Sequence, residues 1–367
     1  MNWLSIYVDP LTRLGWAALG MLTGFWLFLE CINRLLMNVQ SPRIKPLIFR
    51  SGFFISPAAG MLAGWYYSPH HYPVFPLAIL ALLIALEIRT HVHSAHTRGT
   101  GPVETQHSRM VLHRPVTTHD LRILRYELPC AAWHGPAFRV AHISDLHVDF
   151  RLPDAYYDKV IAELDSARPD LIFITGDFVT KEREPLHLPG LLAKIHARLG
   201  VFAIRGNHDF WVNPGQVAKT LAAAGIALLD NRSTRVSIAP GAEIIIGGSE
   251  GPWDRQPPWQ PPADRRHEPL LVLTHTADNI YRLSKAGATA VFSGHYHAGQ
   301  FRVPGMGALV IPSLHGRRFT QGHFEINRTH LFVSAGVGVT GLPVRLYCQP
   351  DILLVDFLPA GGDTPAS

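Results

Sequence analysis

The chain has 367 residues, of which 47% are apolar and 17% charged. This composition can bury a large core, and it excludes a disordered chain, a collagen and a long coiled coil. Residues 1–90 carry six basic and three acidic side chains, and so contribute +3 of the formal net charge of +5. No concentrated basic face is evident elsewhere, so no nucleic-acid partner is expected. Three cysteines are too few for a disulfide framework, whereas 21 histidines invite a search for metal ligands.

Residues 1–90 are predicted to form a membrane region with about three transmembrane helices. The apolar stretch Leu14–Met37 is long enough to cross the hydrocarbon core of a bilayer as a helix. Two shorter apolar stretches follow, Ser51–Tyr67 and Tyr72–Ile88. Buried core helices in a soluble protein are one alternative. A cleaved signal peptide is another for the first stretch, although no small-residue cleavage pattern follows it.

Basic residues are distributed unevenly over the connections between these stretches. The connection Ser68–His71 has none, whereas the first connection and the segment after the third stretch have several: Arg34, Arg43, Lys45 and Arg50, then Arg89, Arg98, Arg109 and Arg114. By the positive-inside rule, the first connection and everything after residue 89 are cytoplasmic. We therefore predict a multi-pass protein of the inner (cytoplasmic) membrane with its C-terminal domain in the cytoplasm.

Residues 91–120 have little apolar periodicity and are predicted to be a linker. Residues 121–367 alternate between short apolar runs and helix-like segments, which indicates an α/β domain. The predicted helices are Ala155–Ala167 and Leu186–Leu199. The predicted strands are Arg139–Ile143, Leu171–Thr175, Val201–Arg205, Glu243–Gly248, Leu270–Thr274 and Ala290–Ser293.

Five of these strands end in side chains that can bind metal. They are Asp145 and His147, then Asp177, then Asn207 with His208 and Asp209, then His275, then His295 and His297. The carboxyl ends of strands form the ligand crevice of open α/β sheets. In Asp145/His147 and His295/His297, the spacing of two residues places both side chains on one side of an extended segment. A single such pair is weak evidence, but five in one domain are strong evidence for one site.

The set offers carboxylates, one amide oxygen and several imidazoles, with no thiolate. Two ions about 3.5–4 Å apart need a shared ligand, and Asp177, the lone carboxylate at its strand end, could bridge them. Mixed oxygen and nitrogen ligation suits Mn, Fe, Zn, Co or Ni. The chemistry that such a pair of ions supports is hydrolysis of a phosphoester, because both ions neutralise phosphate charge and activate water.

The ordered motifs D-L-H, G-D-F-V, G-N-H-D, a downstream H and G-H-Y-H resemble those of the calcineurin-like metallophosphoesterases, over residues 138–357. The Gly-rich stretch Ser334–Asp356 is similar to one in a membrane-associated bacterial branch of that family. The resemblance implies a four-layer αββα sandwich and two divalent metal ions, with Mn favoured. It implies one ion held by Asp145, His147, Asp177 and His297, and a second held by Asp177, Asn207, His275 and His295. It implies that His208 is catalytic, not a ligand.

The sequence departs from the family pattern at Thr180. Many relatives have an Asp there, three residues after the bridging Asp, where it orients the catalytic histidine. A hydroxyl accepts a hydrogen bond but does not stabilise an imidazolium by charge. Asp209 is the other candidate for that role.

Other functions fit the sequence less well. Gly247–Gly251 matches the GxSxG nucleophile elbow, but Pro252 follows where a helix must begin. No P-loop motif is present. A non-catalytic metal-binding sensor remains an alternative, although no ligand is missing. For the substrate, the membrane region favours a lipid or a lipid-linked molecule. The resemblance, to a family that includes enzymes cleaving UDP-2,3-diacylglucosamine in lipid A biosynthesis, implies that pyrophosphate as the specific candidate. The alternative is a broad phosphodiesterase tethered to the bilayer.

The Pro- and Trp-rich insertion Gly251–His267 lies between a predicted strand and the segment leading to His275. Trp253 and Trp259 are of the type that favours the membrane–water interface. Its arginines could meet anionic headgroups or a pyrophosphate: Arg255, Arg265 and Arg266. The alternative is a solvated loop whose tryptophans pack on the domain surface.

Overall fold

The structure is a computed structural model, and it describes residues 10–34, 44–66, 74–107, 112–180, 188–254 and 257–359. Among these, the residues up to His96 and the segment Val310–Arg318 form one compact unit. The residues from Thr97 to Leu309 and from Phe319 onwards form the other. Of the loop charges used for the orientation, Arg43 and Arg109 lie outside the described residues, as do the connection 68–71 and the insertion residue Arg255.

The first unit contains three long helices, α1 (Pro10–Arg34), α2 (Ile44–Tyr66) and α3 (Val74–Thr97). Glycines set the distance between α1 and α2. A Cβ added to Gly20 would lie 2.1 Å from the carbonyl oxygen of Gly60, and one added to Gly24 would lie 2.5 Å from that of Ser56. The two backbones are therefore in direct contact, which only small residues permit and which is a common way for helices to pack in lipid.

Two helices in the described part of the chain are long and apolar enough to cross a membrane, Pro10–Asn33 and Leu77–Thr97. A core helix of a soluble protein or a signal sequence would meet the same criterion. The second predicted span is not among them; its helix contains Pro57. The helical unit also encloses charge, because Arg317 of Val310–Arg318 pairs with Glu30 at 3.3 Å and with Glu87.

The second unit is a mixed α/β structure with two large sheets. Its first-sheet strands are β1 (Glu104–Gln106), β2 (Arg122–Cys130), β3 (Phe138–Ile143), β4 (Leu171–Ile174), β5 (Val201–Ala203), β6 (Ala227–Leu228) and β15 (Asp351–Pro359). The second sheet contains β7 (Ser233–Ala239), β8 (Ala242–Ser249), β9 (Leu270–Thr274), β10 (Ala290–Ser293), β13 (Gly322–Ile326) and β14 (Thr329–Val333). A small ribbon pairs β11 (Arg302–Val303) with β12 (Gly307–Ala308).

The helices of this unit are shorter than those of the first. They are α4 (Asp154–Ala167), α5 (Leu188–Leu192), α6 (Asn207–Val212), α7 (Pro214–Ala223) and α8 (Ile280–Lys285). The predicted helix over residues 155–167 is confirmed. The predicted helix Leu186–Leu199 is wrong in length: the described part is helical only over five residues and then turns. Residues 91–120 are not a plain linker either, because α3 continues to Thr97 and β1 pairs with β2.

Each of the two large sheets contains a set of neighbouring parallel strands, whose carboxyl ends therefore lie at the same edge of that sheet. The first sheet runs β1-β2-β15-β3-β4-β5-β6, and β3, β4, β5 and β6 are parallel. The second runs β13-β14-β10-β9-β8-β7, and β8, β9, β10 and β14 are parallel. The carboxyl ends of β3, β4 and β5 therefore lie together, and so do those of β9 and β10.

The core explains the continuous apolar runs seen in the sequence. In β4, Leu171 and Phe173 face a cluster shared with Ile246 and Phe292 of the second sheet, so the two sheets pack face to face. Alternate residues of the same strand face a second cluster, which includes α4, α5 and α7. Strands buried on both faces are apolar throughout. The mixed α/β fold with stacked sheets is thus confirmed, while an outer helical layer on the second sheet stays a prediction.

Candidate metal centre

The polar side chains at five strand ends converge in one place. Asp145 and His147 follow β3, Asp177 follows β4, and Asn207 and His208 begin α6 just after β5. His275 follows β9, and His295 and His297 follow β10. Three groups of possible ligands have donor atoms within 4.8 Å of one another: Asp145, His147 and His297; His147, Asp177 and His208; Asp177, His275 and His295.

The backbone at these positions is held in an unusual conformation. Five of the converging residues have a positive φ between 45° and 71°, namely Asp145, His147, Asp177, His295 and His297. A side chain in the left-handed region costs about 1 kcal/mol or more. Strain concentrated at one cluster of polar residues is typical of a functional site, where the surrounding fold enforces a geometry that the chain alone does not prefer.

Gly206 is the glycine on which the arrangement depends most. A Cβ at this position would lie 2.2 Å from Oδ1 of Asp177 and 2.7 Å from Cε1 of His275. Any other residue would therefore push these two groups apart. The tight turn that brings Asn207 and His208 to the site requires glycine for this reason.

Asp177 lies at the middle of the cluster. Its Oδ2 is 3.4 Å from Nε2 of His147 and 3.3 Å from Nε2 of His275. Its Oδ1 accepts a hydrogen bond of 2.9 Å from the backbone N–H of His208. One carboxylate oxygen thus faces imidazoles from both sheets, while the other is fixed by the backbone.

The remaining contacts divide into two sides. On one side, Nε2 of His297 is 3.4 Å from Oδ1 of Asp145 and 3.1 Å from Nε2 of His147. On the other side, Nε2 of His275 is 3.1 Å from Oδ1 of Asn207 and 3.2 Å from Nδ1 of His295. The Nδ1–H of His275 donates to the carbonyl of Thr175 at 2.6 Å, which leaves its Nε2 with a lone pair towards the cluster.

These donor sets fit two divalent ions. Ligand atoms about 2.1 Å from a common centre are separated by roughly 3.0–3.4 Å in octahedral or tetrahedral arrangements. The observed separations between possible ligand atoms, 3.1–3.4 Å, fall in that range. Acceptor atoms without a proton between them repel each other unless a cation lies among them. The chemistry and spacing of the cluster therefore suit metal binding.

Burial and charge tune the protonation of the cluster. Burial lowers the pKa of His147 to about 3, and burial with the neighbouring His147 and Arg345 lowers that of His297 well below its ordinary value. Burial opposes ionisation of Asp177, but the nearby histidines, His275 foremost, lower its pKa well below the usual range. Burial also disfavours a charged His275, yet Asp177 raises its pKa to about 9. With no cation among the ligands, His275 is therefore protonated at neutral pH, and metal binding must displace that proton, whereas His147 and His297 are already neutral and Asp177 is already ionised.

His208 is oriented by neither of the side chains considered from the sequence. Its Nδ1 lies 3.3 Å from the backbone carbonyl of Thr180. Asp209 points elsewhere: its buried carboxylate accepts from four backbone N–H groups, those of Gly206, Asp177, Phe178 and Val179, at 2.8–3.3 Å. Of the two alternatives left open by the sequence, Asp209 is therefore not the one that orients His208, because its carboxylate already accepts from the backbone of the turns that carry the site.

Asp209→Ala should lower the free energy of unfolding by about 3 kcal/mol or more, since each buried N–H left without an acceptor costs about 1–3 kcal/mol. Chemical denaturation with guanidinium measures this change. The matched control is Asp158→Ala, which removes a half-exposed carboxylate paired with Lys194 and should change stability little. Equal losses in the two variants would contradict the structural role of Asp209.

The Gly-rich segment after β14 forms backbone hydrogen bonds with the turn that carries Asp145 and His147. The N–H groups of Val337 and Gly338 donate to the carbonyls of Ser144 and Asp145 at 2.9 and 2.8 Å. Arg345 is fully buried and donates to the carbonyls of Gly336 and Gly338. From the sequence, this segment was noted only for its resemblance to a Gly-rich stretch of the family. Its hydrogen bonds to the turn that carries Asp145 were not predicted.

The two tryptophans of the insertion have different surroundings. Trp253 is half-buried, and its ring centroid is 5.4 Å from that of His275 and 5.2 Å from that of His295. Trp259 is only 3% exposed, and its Nε1 donates to Ser233. The packing alternative is therefore right for Trp259, whereas Trp253 lies beside two of the converging histidines, and its contact with a bilayer stays a prediction. The insertion's Arg265 donates to carbonyls of its own domain, those of Glu268 and Gly287.

A two-sheet α/β fold with Asp, Asn and His gathered at the carboxyl ends of both sheets defines a class of metal-dependent hydrolases. Residues 138–299 match the family model described as calcineurin-like phosphoesterase. An uncharacterized metallophosphoesterase of Bacillus subtilis, YkuE, is 31% identical over 229 residues, which are 60% of this chain and 79% of that protein. The chain belongs to the calcineurin-like phosphoesterase family and is a metal-dependent phosphoester hydrolase.

Two further relatives carry more specific names. The phosphodiesterase YaeI of Escherichia coli is 28% identical over 243 residues, which are 64% of this chain and 88% of that protein. The UDP-2,3-diacylglucosamine pyrophosphatase LpxG of Chlamydia trachomatis is 42% identical, but over only 89 residues, which are 24% of this chain and 27% of that protein. The chain is thus similar to YaeI over about two thirds of its length and to LpxG over about a quarter of it.

Proposed function

We propose that the protein hydrolyses a phosphodiester or pyrophosphate bond at a dinuclear metal centre and that its substrate is lipid-linked. The single observation that supports the dinuclear centre best is the position of Asp177, whose Oδ2 faces Nε2 of His147 at 3.4 Å and Nε2 of His275 at 3.3 Å. A bridging carboxylate between two ions needs this placement between ligands from both sheets.

Each residue of the cluster has a part in this proposal. Asp145, His147 and His297 hold one ion, Asn207, His275 and His295 hold the other, and Asp177 contributes to both. When bound, the two ions neutralise the charge of the phosphate and lower the pKa of the attacking water. The resemblance to the family favours Mn, and the mixed set of oxygen and nitrogen ligands also suits Fe, Zn, Co and Ni.

His208 acts on the substrate in this proposal. Because a carbonyl oxygen can only accept, the contact with Thr180 places the ring proton on Nδ1 and leaves Nε2 as the atom free to act. In its protonated form, Nε2 donates to the departing oxygen or to the developing negative charge on the phosphate. His208 also lies near His147 and Asp177, so its assignment as catalytic and not as a ligand needs a direct test.

Two observations support a lipid-linked substrate and a bilayer as partner. First, the relative LpxG is named as a pyrophosphatase of UDP-2,3-diacylglucosamine, and this chain is 42% identical to it over 89 residues. Second, the three long helices expose large apolar side chains, among them Leu22 at 62%, Phe54 at 72% and Leu82 at 57%. An apolar outer surface of this kind suits lipid more than water. We propose accordingly a membrane-anchored enzyme of the inner membrane with a cytoplasmic catalytic domain.

A substrate panel tests the proposed function. Detergent-purified protein with Mn²⁺ is assayed on a nucleoside-diphosphate lipid, a cyclic nucleotide and a small aryl phosphodiester. Preference for the nucleoside-diphosphate lipid, in kcat/KM, is the expected result. Equal turnover of all three would favour the broad, membrane-tethered phosphodiesterase. Metal binding without turnover of any would favour a sensor and would overturn the enzymatic proposal.

Trp253→Ala and Trp259→Ala should have different effects. Trp259 is buried against Gly247, so its truncation leaves a cavity and should destabilise the protein by about 3–5 kcal/mol. Trp253 lies on the rings of His275 and His295, so its truncation should leave unfolding nearly unchanged and raise KM for an acylated substrate. Thermal unfolding and steady-state kinetics separate the two outcomes. A lower stability of the Trp253 variant, with unchanged KM, would contradict a role in substrate binding.

Reporter fusions test the proposed topology. The charge asymmetry places the connection around residue 70 outside and the chain after residue 120 inside. Fusions of a reporter that is active on one side of the membrane only, placed after residues 70 and 120, should therefore give opposite signals. A fusion after residue 40 is the internal control and should agree with that after residue 120. The same signal at residues 70 and 120 would mean that α3 does not span.

A further inference from the structure

Thr180 contacts two histidines of the site with two different oxygen atoms. It lies in the loop after β4, three residues beyond Asp177. Its hydroxyl oxygen is 3.2 Å from Nδ1 of His147, and its backbone carbonyl oxygen is 3.3 Å from Nδ1 of His208. The two imidazole rings meet edge to face, with centroids 4.8 Å apart. Thr180 thus contacts both a proposed metal ligand, His147, and the proposed catalytic residue, His208.

The side chain of Arg151 occupies one lone pair of the hydroxyl oxygen. Its Nη2 donates to Oγ1 of Thr180 at 2.9 Å, and a guanidinium can only donate. Arg151 is itself fixed, because its Nε donates to Asp149 at 2.7 Å and its Nη1 donates to the carbonyl of Gly341 at 2.9 Å. Oγ1 of Thr180 therefore accepts from Arg151 with one lone pair and has a second one for the ring of His147.

A hydroxyl that accepts from Nδ1–H of His147 leaves Nε2 of that ring with its lone pair. That Nε2 is the atom 3.4 Å from Oδ2 of Asp177 and 3.1 Å from Nε2 of His297. Partners of this kind, on the far nitrogen of a ligating imidazole, set the tautomer and the ring orientation. The carbonyl of Thr180 does the same for His208, but through the main chain, so that this contact does not depend on the side chain at position 180.

We propose that Thr180 is a positioning residue for both histidines, holding His147 as a metal ligand through its hydroxyl and His208 in its active tautomer through its carbonyl. This inference rests on the proposed function, because it assigns His147 to a metal ion. It also accounts for a threonine where many relatives have an aspartate: beside Arg151, the hydroxyl supports a ligand, and the orientation of His208 is left to the backbone.

Three variants of the full-length protein in detergent test the first half. Thr180→Val keeps the shape and the carbonyl but removes the hydroxyl; Thr180→Ser keeps the hydroxyl. Thr234→Val makes the same exchange on β7, away from the site. Affinity for Mn²⁺ is measured by competition with a chelator, and unfolding is followed on metal-free protein. Thr180→Val should lose about 10–100-fold in affinity for one ion, with an unchanged metal-free melting temperature. Thr180→Ser and Thr234→Val should remain close to wild type.

Several results would overturn the proposal. Wild-type affinity in Thr180→Val is one, equal losses in Thr180→Val and Thr180→Ser are another, and a parallel fall in metal-free stability is a third, since it would indicate a general packing role. If the wild type binds Mn²⁺ and cleaves an aryl phosphodiester while Thr180→Val matches its affinity, the proposed function stands and this inference fails. If the wild type binds neither Mn²⁺ nor any of Fe²⁺, Zn²⁺, Co²⁺ and Ni²⁺, both fail.

Nitrogen NMR tests the second half. In protein labelled with ¹⁵N-histidine, and assigned with His208→Asn, the neutral ring of His208 should carry its proton on Nδ1 in the wild type. The same tautomer is expected in Thr180→Val, because the carbonyl remains. A proton on Nε2 in the wild type would contradict the carbonyl contact. A change of tautomer in Thr180→Val would show that the hydroxyl, not the carbonyl, orients His208.

Discussion

Asp177→Asn should abolish phosphodiester hydrolysis and remove at least one bound metal ion. Asp177 is the one proposed ligand that faces both halves of the cluster, with Oδ2 within 3.3–3.4 Å of Nε2 atoms from two strand ends. An amide is neutral and offers one oxygen, so it balances less of the charge of two divalent ions. With the charge stabilisation of the reaction lost, kcat should fall by about 10³-fold or more.

Elemental analysis of the purified variant, beside its activity, checks this result. Asp158→Asn is the matched control, because this carboxylate is half-exposed and pairs with Lys194 on the surface. It should keep both ions and full activity. Retention of two tightly bound ions by Asp177→Asn would contradict the bridging position of this carboxylate, even if activity were lost.

His208→Asn should lose activity and keep both ions. The ring contacts the carbonyl of Thr180 through Nδ1, and its backbone N–H, which the substitution leaves in place, supports Asp177. Asparagine cannot donate a proton to the departing oxygen at neutral pH. The expected loss in kcat is about 10²–10⁴-fold, the usual contribution of a positioned general acid.

The metal content of the His208→Asn variant decides between two assignments. His208 has a ring nitrogen close to donor atoms of His147 and Asp177, so proximity alone permits a role as a ligand. Two retained ions with low activity would support the catalytic role. Loss of an ion, with an unchanged melting temperature, would make His208 a ligand. His196→Asn, at an exposed position between α5 and β5, should change neither quantity.

The position of the site could be predicted from the sequence because its residues directly follow the apolar runs that form the strands. Apolar runs that end in Asp145, Asp177 or His275 identify strand ends, and parallel strands bring those ends together. The glycine before Asn207 marks a turn without room for a side chain, which the close contact with Asp177 explains. The identities of the converging residues, and the family to which the chain belongs, follow from such patterns.

Long-range packing was beyond the reach of the sequence pattern. Strand β15 lies between β2 and β3, paired parallel to one and antiparallel to the other, although more than 200 residues separate it from either. Leu186–Leu199 has a helical pattern, yet only Leu188–Leu192 is helical, because packing overrides propensity in a short segment. Trp259 has the type of an interface residue, but Gly247 leaves a space that its ring fills.

The sequence by itself determined the class of the protein and the residue types of its metal centre, since these depend on side chains that follow buried strands within a few positions. Only the tertiary structure decided how the centre is supported. The carboxylate of Asp209 accepts from backbone N–H groups and does not contact His208, Arg151 donates to the hydroxyl of Thr180, and Arg345 donates to the carbonyls of Gly336 and Gly338. The contacts of Asp209 and Arg151 join loops that follow neighbouring strands of the first sheet, and strand pairing brings those loops together, so no periodicity or spacing could reveal them.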